Sequence, residues 1–177
     1  MRVHRLVDGP LWFGPKPGSP PVYRFDAPAG EYRALYAAKA LTGAFVETVL
    51  RSNRRIIAPD FINRRQWTHL KVGRSLRLAK IMDEGLRWHG VDAGICSVDT
   101  YEESRRFALA LYDAFPELDG IAYRARHNNA EICFALFDRV ASTDLVAAGT
   151  FPFELHRPTI DAIIRGHGAA WDTSPGI

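Results

Sequence analysis

Three residues able to do chemistry fall within two dozen positions: Arg24 in Arg24-Phe25-Asp26, Tyr36 in Leu35-Tyr36-Ala37-Ala38, and Glu47 in the run from Gly43 to Arg51. A guanidinium stays charged and grips an anion with two donors at once. A carboxylate accepts from hydroxyls and supports developing positive charge. A tyrosine offers an aromatic face and a hydroxyl.

Each of the three needs an element to hold it. Residues 34–38 are short and apolar, flanked by Gly-Glu-Tyr-Arg and Leu41-Thr42-Gly43, and predict a buried strand with Tyr36 at its centre. From Thr42 the spacing turns helical. Thr42 is the expected N-cap, and Phe45, Val46, Val49 and Leu50 form an apolar stripe ending near Ser52-Asn53. Glu47 lies at the edge of that stripe, so its carboxylate is free to point along the sheet toward the end of a neighbouring strand. An ordinary flank glutamate paired with Arg51 at i+4 is the competing reading. Arg24 is expected on an extended segment over 22–25.

The other expected strands cover 3–7, 66–72, 75–81, 120–123 and 132–137, with a polar turn over 124–130. Helices are expected over 83–89, from a Thr100 capping box through Phe107, Leu111 and Phe115, and over 158–166. The Pro/Gly-rich stretch 9–15 reads as an ordered loop anchored by Trp12 and Phe13. Short strands with few helices predict a single mixed α+β domain over 1–177 rather than a doubly wound sheet.

Composition bounds the function. The 177 residues are 47% hydrophobic and 24% charged, as in an ordinary globular chain. No eighteen-residue apolar span and no signal-peptide core occur, which predicts a cytoplasmic protein without membrane contact. Cys96 and Cys133 lack ligand spacing and read as buried thiols in a reducing compartment; with six scattered histidines, no metal site is expected. Neither a P-loop, a dinucleotide fingerprint nor a Gly-x-Ser-x-Gly elbow is present. The net charge of +3 conceals a basic block from Arg51 to Lys80, in which Arg51, Arg54, Arg55, Arg64, Arg65, Lys71, Arg74, Arg77 and Lys80 meet only Asp60. Such a block attracts nucleic acid, an acidic protein or a phosphorylated molecule, or is simply a solvated face.

Seven blocks in order carry a resemblance: Val3-His4-Arg5, Pro10-Leu11-Trp12-Phe13-Gly14, Arg24-Phe25-Asp26-Ala27-Pro28, Val46-Glu47, Gly90-Val91-Asp92-Ala93, Ser97-Val98-Asp99-Thr100-Tyr101 and Asp119-Gly120-Ile121-Ala122-Tyr123-Arg124-Ala125-Arg126-His127. Over roughly 3–139 the chain resembles the RES domain family, which supplies the toxin of RES/Xre toxin–antitoxin pairs. The resemblance implies a fold similar to diphtheria-toxin-type ADP-ribosyltransferases. It also implies consumption of NAD⁺ as substrate, with no resident cofactor, by phosphorolysis with inorganic phosphate, by hydrolysis, or by ADP-ribosylation of a protein. It places Arg5 on the arginine of the family's first strand, Arg24 on that of its second block, Tyr36 on the tyrosine of its Leu-Tyr-x-Ala strand and Glu47 on the helix glutamate.

One position departs: Ala125 stands where many relatives carry the serine of Tyr-x-Ser-Arg. A branch lacking that hydroxyl and an engineered replacement that tames a toxin both accommodate it. The resemblance implies a partner as well, an Xre-type antitoxin with a DNA-binding helix-turn-helix, forming a hetero-oligomer in which DNA contact belongs mainly to the antitoxin.

In this reading Glu47 carries the chemical step, because the nicotinamide of NAD⁺ leaves as a neutral group and its departure requires support for an oxocarbenium-like ribose rather than a general acid. Arg5 and Arg24 bind phosphate or position the acceptor, and Tyr36 stacks on nicotinamide or donates its hydroxyl. The competing readings are a nucleic-acid-directed protein using the basic block and a catalytically impaired RES-like domain that only binds an antitoxin.

Overall fold

Alternating and continuous apolar runs become strands wherever they find partners, and the structure, a computed structural model, describes residues 1–52, 55–141 and 143–174. In chain order the elements are β1 (Arg2–Arg5), β2 (Ala34–Ala38), α1 (Leu41–Thr48), β3 (Ile56–Ile57), α2 (Pro59–Asn63), β4 (Arg65–Val72), β5 (Leu78–Ile81), α3 (Glu84–Trp88), α4 (Gly94–Ser97), α5 (Glu102–Ala114), β6 (Gly120–Ala125), β7 (Asn128–Phe137), β8 (Leu145–Pro152), α6 (Arg157–Gly166) and β9 (Ala170–Trp171). The fold is mixed α+β, as expected. No helix among the described residues is long and apolar enough to cross a membrane.

A four-stranded sheet in the order β2-β7-β6-β5 has antiparallel pairs except for the parallel β5–β6 pair, and an antiparallel sheet runs β1-β4-β8. A short parallel pair joins β3 to β9. The N-terminal strands tie the two larger sheets together: the Met1 ammonium donates to the Ala38 carbonyl at 2.7 Å, and the Ala38 N–H donates to Met1 O at 2.8 Å.

The central strand β7 is covered on both faces, so it reads as a continuous apolar run. On one face Leu35 and Leu136, paired in register, join Val140 and Leu145 in a small cluster. On the other, Phe137, Ala135 and Cys133 enter the main core with Phe25, Phe45, Phe153, Ile121 and Ile160. Helix α1 lies on this second face. Gly43 permits the approach, since a Cβ there would meet Ala38 Cβ at 3.1 Å and Glu131 Cβ at 3.0 Å.

Several expectations need correction. Residues 22–25 form a turn rather than a strand, because Asp26 captures the Val22 and Tyr23 N–H groups at 2.8 and 2.7 Å and curls the backbone back on itself. Thr42 lies inside α1, whose N-cap is Ala40 with no side-chain bond. The Thr100 capping box is absent: α5 is capped at Tyr101, again without a side-chain bond, and the Tyr101 ring lies beneath the Arg24 guanidinium. The polar turn over 124–130 shrinks to a tight reversal at Arg126-His127, since pairing extends β6 and β7 into it. Strand β5 starts at Leu78 rather than at 75, because Asp119 holds the Arg77 N–H and the Arg74 fork ahead of it. Strand β8 carries too little alternation to be legible, with Gly149 and Pro152 interrupting it, and forms through its pairing with β4.

The basic block disperses as well. Arg74 is bound by Asp119 and Asp144, Lys80 by Asp83 and Glu84, and Arg51 and Arg65 turn into the cleft described below, while Arg54 lies outside the described residues.

Candidate functional site

Sheet register decides what α1 meets. Tyr36 of β2 is opposite Ala135, and Tyr123 of β6 is opposite Cys133, so both tyrosines project from the β7 face that α1 covers. Glu47, in the last turn of α1, reaches the end of β6: Oε1 accepts from the Arg126 N–H at 2.9 Å and Oε2 from the Tyr123 hydroxyl at 3.3 Å. This is the strand-end placement anticipated from the helix edge, and Glu47 forms no ion pair with Arg51. Burial and the facing Glu47 carboxylate push the Tyr123 hydroxyl well above its usual pKa, so it remains a donor.

Arg24-Phe25-Asp26 distributes three side chains to three tasks. Phe25 is fully buried, its ring 5.0 Å from that of Tyr123. Asp26 is fully buried too and accepts from the Tyr36 hydroxyl at 3.0 Å. The Tyr36 hydroxyl in turn accepts from the Phe25 N–H at 3.0 Å, and burial together with Asp26 drives its pKa well up. The hydroxyl is therefore committed to the fold, and the ring, 5.2 Å from that of Tyr23, is what Tyr36 offers to a ligand. Arg24 is 7% exposed, with a long bond of 3.4 Å to Ile95 O and its guanidinium 4.7 Å from the Tyr101 ring. No carboxylate pairs with it among the described residues.

These groups line a cleft of about 730 Å³, within the roughly 300–1,000 Å³ typical of ligand pockets. Arg5, Arg24, Tyr36 and Glu47 all line it. Arg5, however, is a rim residue: its side chain is 62% exposed and its fork closes on Asp8 at 2.8 and 3.0 Å. Ala125 is wholly buried in the core and does not line the cleft; it immediately precedes the Arg126 N–H that holds Glu47.

Sequence reasoning missed Arg2, Arg51, Arg65, Tyr101, Tyr123 and Arg126 as cleft residues. Tyr123 and Arg126 stood in a motif already singled out, and Arg51 and Arg65 in the basic block, but only register and long-range packing bring them here. With Arg5 and Arg24 the lining carries, among the described residues, six arginines against two carboxylates, Asp8 and Glu47. The guanidinium of Arg65 stacks 3.4 Å over Phe61 and donates to its carbonyl, that of Arg51 stands 5.1 Å from the Tyr23 ring, and that of Arg126 pairs with Asp99. The surplus of positive charge favours an anionic ligand.

Fold and site thus define a mixed α+β domain with an arginine-lined cleft and one glutamate tethered to a strand end. The chain belongs to the RES domain family, whose family model matches residues 1–156. Comparison with curated proteins and with solved structures finds no match.

Proposed function

We propose that the chain is the toxin of a RES/Xre toxin–antitoxin pair and that its cleft binds NAD⁺ and breaks the nicotinamide–ribose bond. The observation that carries this reading is the convergence of Arg24, Tyr36 and Glu47, far apart in their elements, on one cation-rich cleft. The pyrophosphate takes the guanidinium groups, Arg24 at depth and Arg5 at the rim. The face of Tyr36 borders nicotinamide. Glu47, held by two donors on β6, sits against the ribose and supports the positive charge that grows as neutral nicotinamide leaves. Water or inorganic phosphate then takes the ADP-ribose; an ADP-ribosyltransferase fold and a protein acceptor are the variant of the same chemistry.

A reading of attenuated turnover is favoured by Ala125, which brings no hydroxyl next to the Glu47 tether. The Xre-type antitoxin is the expected partner at the cleft mouth, where Trp12, Val22 and Tyr23 stand partly exposed.

The test is chromatography of NAD⁺ incubated with the purified chain, with and without inorganic phosphate and beside Ala125→Ser, together with labelled NAD⁺ in a cell extract. Release of nicotinamide supports the reading, and a phosphate requirement makes the enzyme a phosphorylase. Intact NAD⁺ in every arm, with no label on any protein, would refute it.

A further inference from the structure

Strand β1 carries a second guanidinium that the family blocks do not mark. Arg2 is 6% exposed and lines the cleft, yet its one hydrogen bond among the described residues runs from Nη1 to Pro10 O at 3.0 Å. No carboxylate pairs with it there. The acid whose field reaches it, Asp8, is already gripped by both arms of Arg5. Burial pushes the Arg2 pKa down to about 10, the mark of a charge stripped of water without a compensating anion. Arrangements of this kind are costly unless the charge is paired. Arg24 is also buried on the same cleft with no carboxylate partner among the described residues, and has one long carbonyl contact and an aromatic face. Of the other four, Arg5 is engaged by Asp8, Arg126 by Asp99 and Arg65 by the Phe61 carbonyl and ring, while Arg51 is exposed to water and lies 5.1 Å from the Tyr23 ring.

We infer that Arg2 is an anion-binding residue of the cleft and that Arg2 and Arg24, the two guanidinium groups that are buried without a carboxylate partner among the described residues, together hold a pyrophosphate-type group. The inference rests on the cleft being the ligand site proposed above. It transfers the main phosphate contact of the first strand from Arg5, whose fork is occupied, to Arg2.

Isothermal titration of the full chain with inorganic pyrophosphate and, separately, with ADP-ribose tests it, using wild type, Arg2→Met, Arg2→Lys and Arg5→Gln at one fixed ionic strength. Wild type should bind both ligands. Arg2→Met should weaken both by about tenfold to a hundredfold, the range for loss of a charge-assisted hydrogen bond, with Arg2→Lys in between. Arg5→Gln should weaken binding less than Arg2→Met does, because the rim guanidinium is already gripped by both oxygens of Asp8. Without ligand, Arg2→Met should melt no earlier than wild type, because an unpaired buried charge gives way to an apolar chain of similar length.

Wild-type affinity for pyrophosphate in Arg2→Met and Arg2→Lys overturns the assignment, as does failure of wild type to bind pyrophosphate at all. Pyrophosphate binding that is lost in Arg2→Met, with no binding of ADP-ribose by wild type, upholds Arg2 and removes the dinucleotide reading instead.

Discussion

Replacing Glu47 by glutamine separates chemistry from architecture, because the amide can keep both tethers. Its oxygen can accept from the Arg126 N–H, now 2.9 Å from Oε1, and its NH₂ can donate to the Tyr123 oxygen, now 3.3 Å from Oε2. The change converts a charge-assisted bond into a neutral one, about 1 kcal/mol, and reverses a long one so that the Tyr123 O–H gives up its acceptor, for a total of about 2–4 kcal/mol. For a chain of this size that lowers Tm by about 4–16 °C. If Glu47 supports the cationic ribose, the same substitution removes about 2.7–4 kcal/mol of transition-state stabilisation, so kcat falls by about 10²–10³. The assay is the rate of NAD⁺ loss at saturating NAD⁺, with ADP-ribose affinity and a thermal melt on the same samples. The expected pattern is collapsed turnover, near-normal ADP-ribose binding and a Tm lowered within that range. Turnover within about threefold of wild type would refute the catalytic role, well short of the loss expected for a transition-state contact. A fall in Tm beyond about 16 °C would refute the reasoning that an amide preserves the tether.

Asp26→Asn must turn an NH₂ toward either the Tyr36 hydroxyl or the Val22 and Tyr23 N–H groups, so at least one buried donor loses its acceptor. The expected cost is about 2–4 kcal/mol in urea unfolding, with weaker ADP-ribose binding as the Arg24 turn loosens, and normal values of both would contradict the assigned role. His4 is buried between the Asp8 and Arg5 carbonyls at Nδ1 and Thr68 Oγ1 at Nε2, and burial holds its pKa below 6.5. The unfolded chain therefore binds the extra proton first, and stability falls as pH drops below about 6.5 toward the folded-state value. Melts of wild type between pH 7.5 and 5 should show this loss and His4→Gln a flatter profile; parallel profiles would remove His4 as its source.

The sequence by itself determined the mixed α+β class, the Tyr36 strand, the helix that carries Glu47, and the apolar pattern that buries Cys96 and Cys133. These follow from local periodicity and composition, which act through neighbours in the chain. The family blocks marked Arg24, Tyr36 and Glu47, residues that the fold then brings to one cleft.

Only the tertiary structure decided which arginine is desolvated. Arg2 and Arg5 look alike on a four-residue strand, but Asp8 curls back to the fork of Arg5 and leaves Arg2 enclosed. It also decided that residues 22–25 turn, because the Asp26 carboxylate gathers backbone donors that a strand would have offered to a partner. The Tyr123 hydroxyl and Arg126 N–H reach Glu47 across more than seventy residues, a contact set by β6–β7 register and the seating of α1. Register and packing are properties of paired elements, so no single stretch of the chain encodes them.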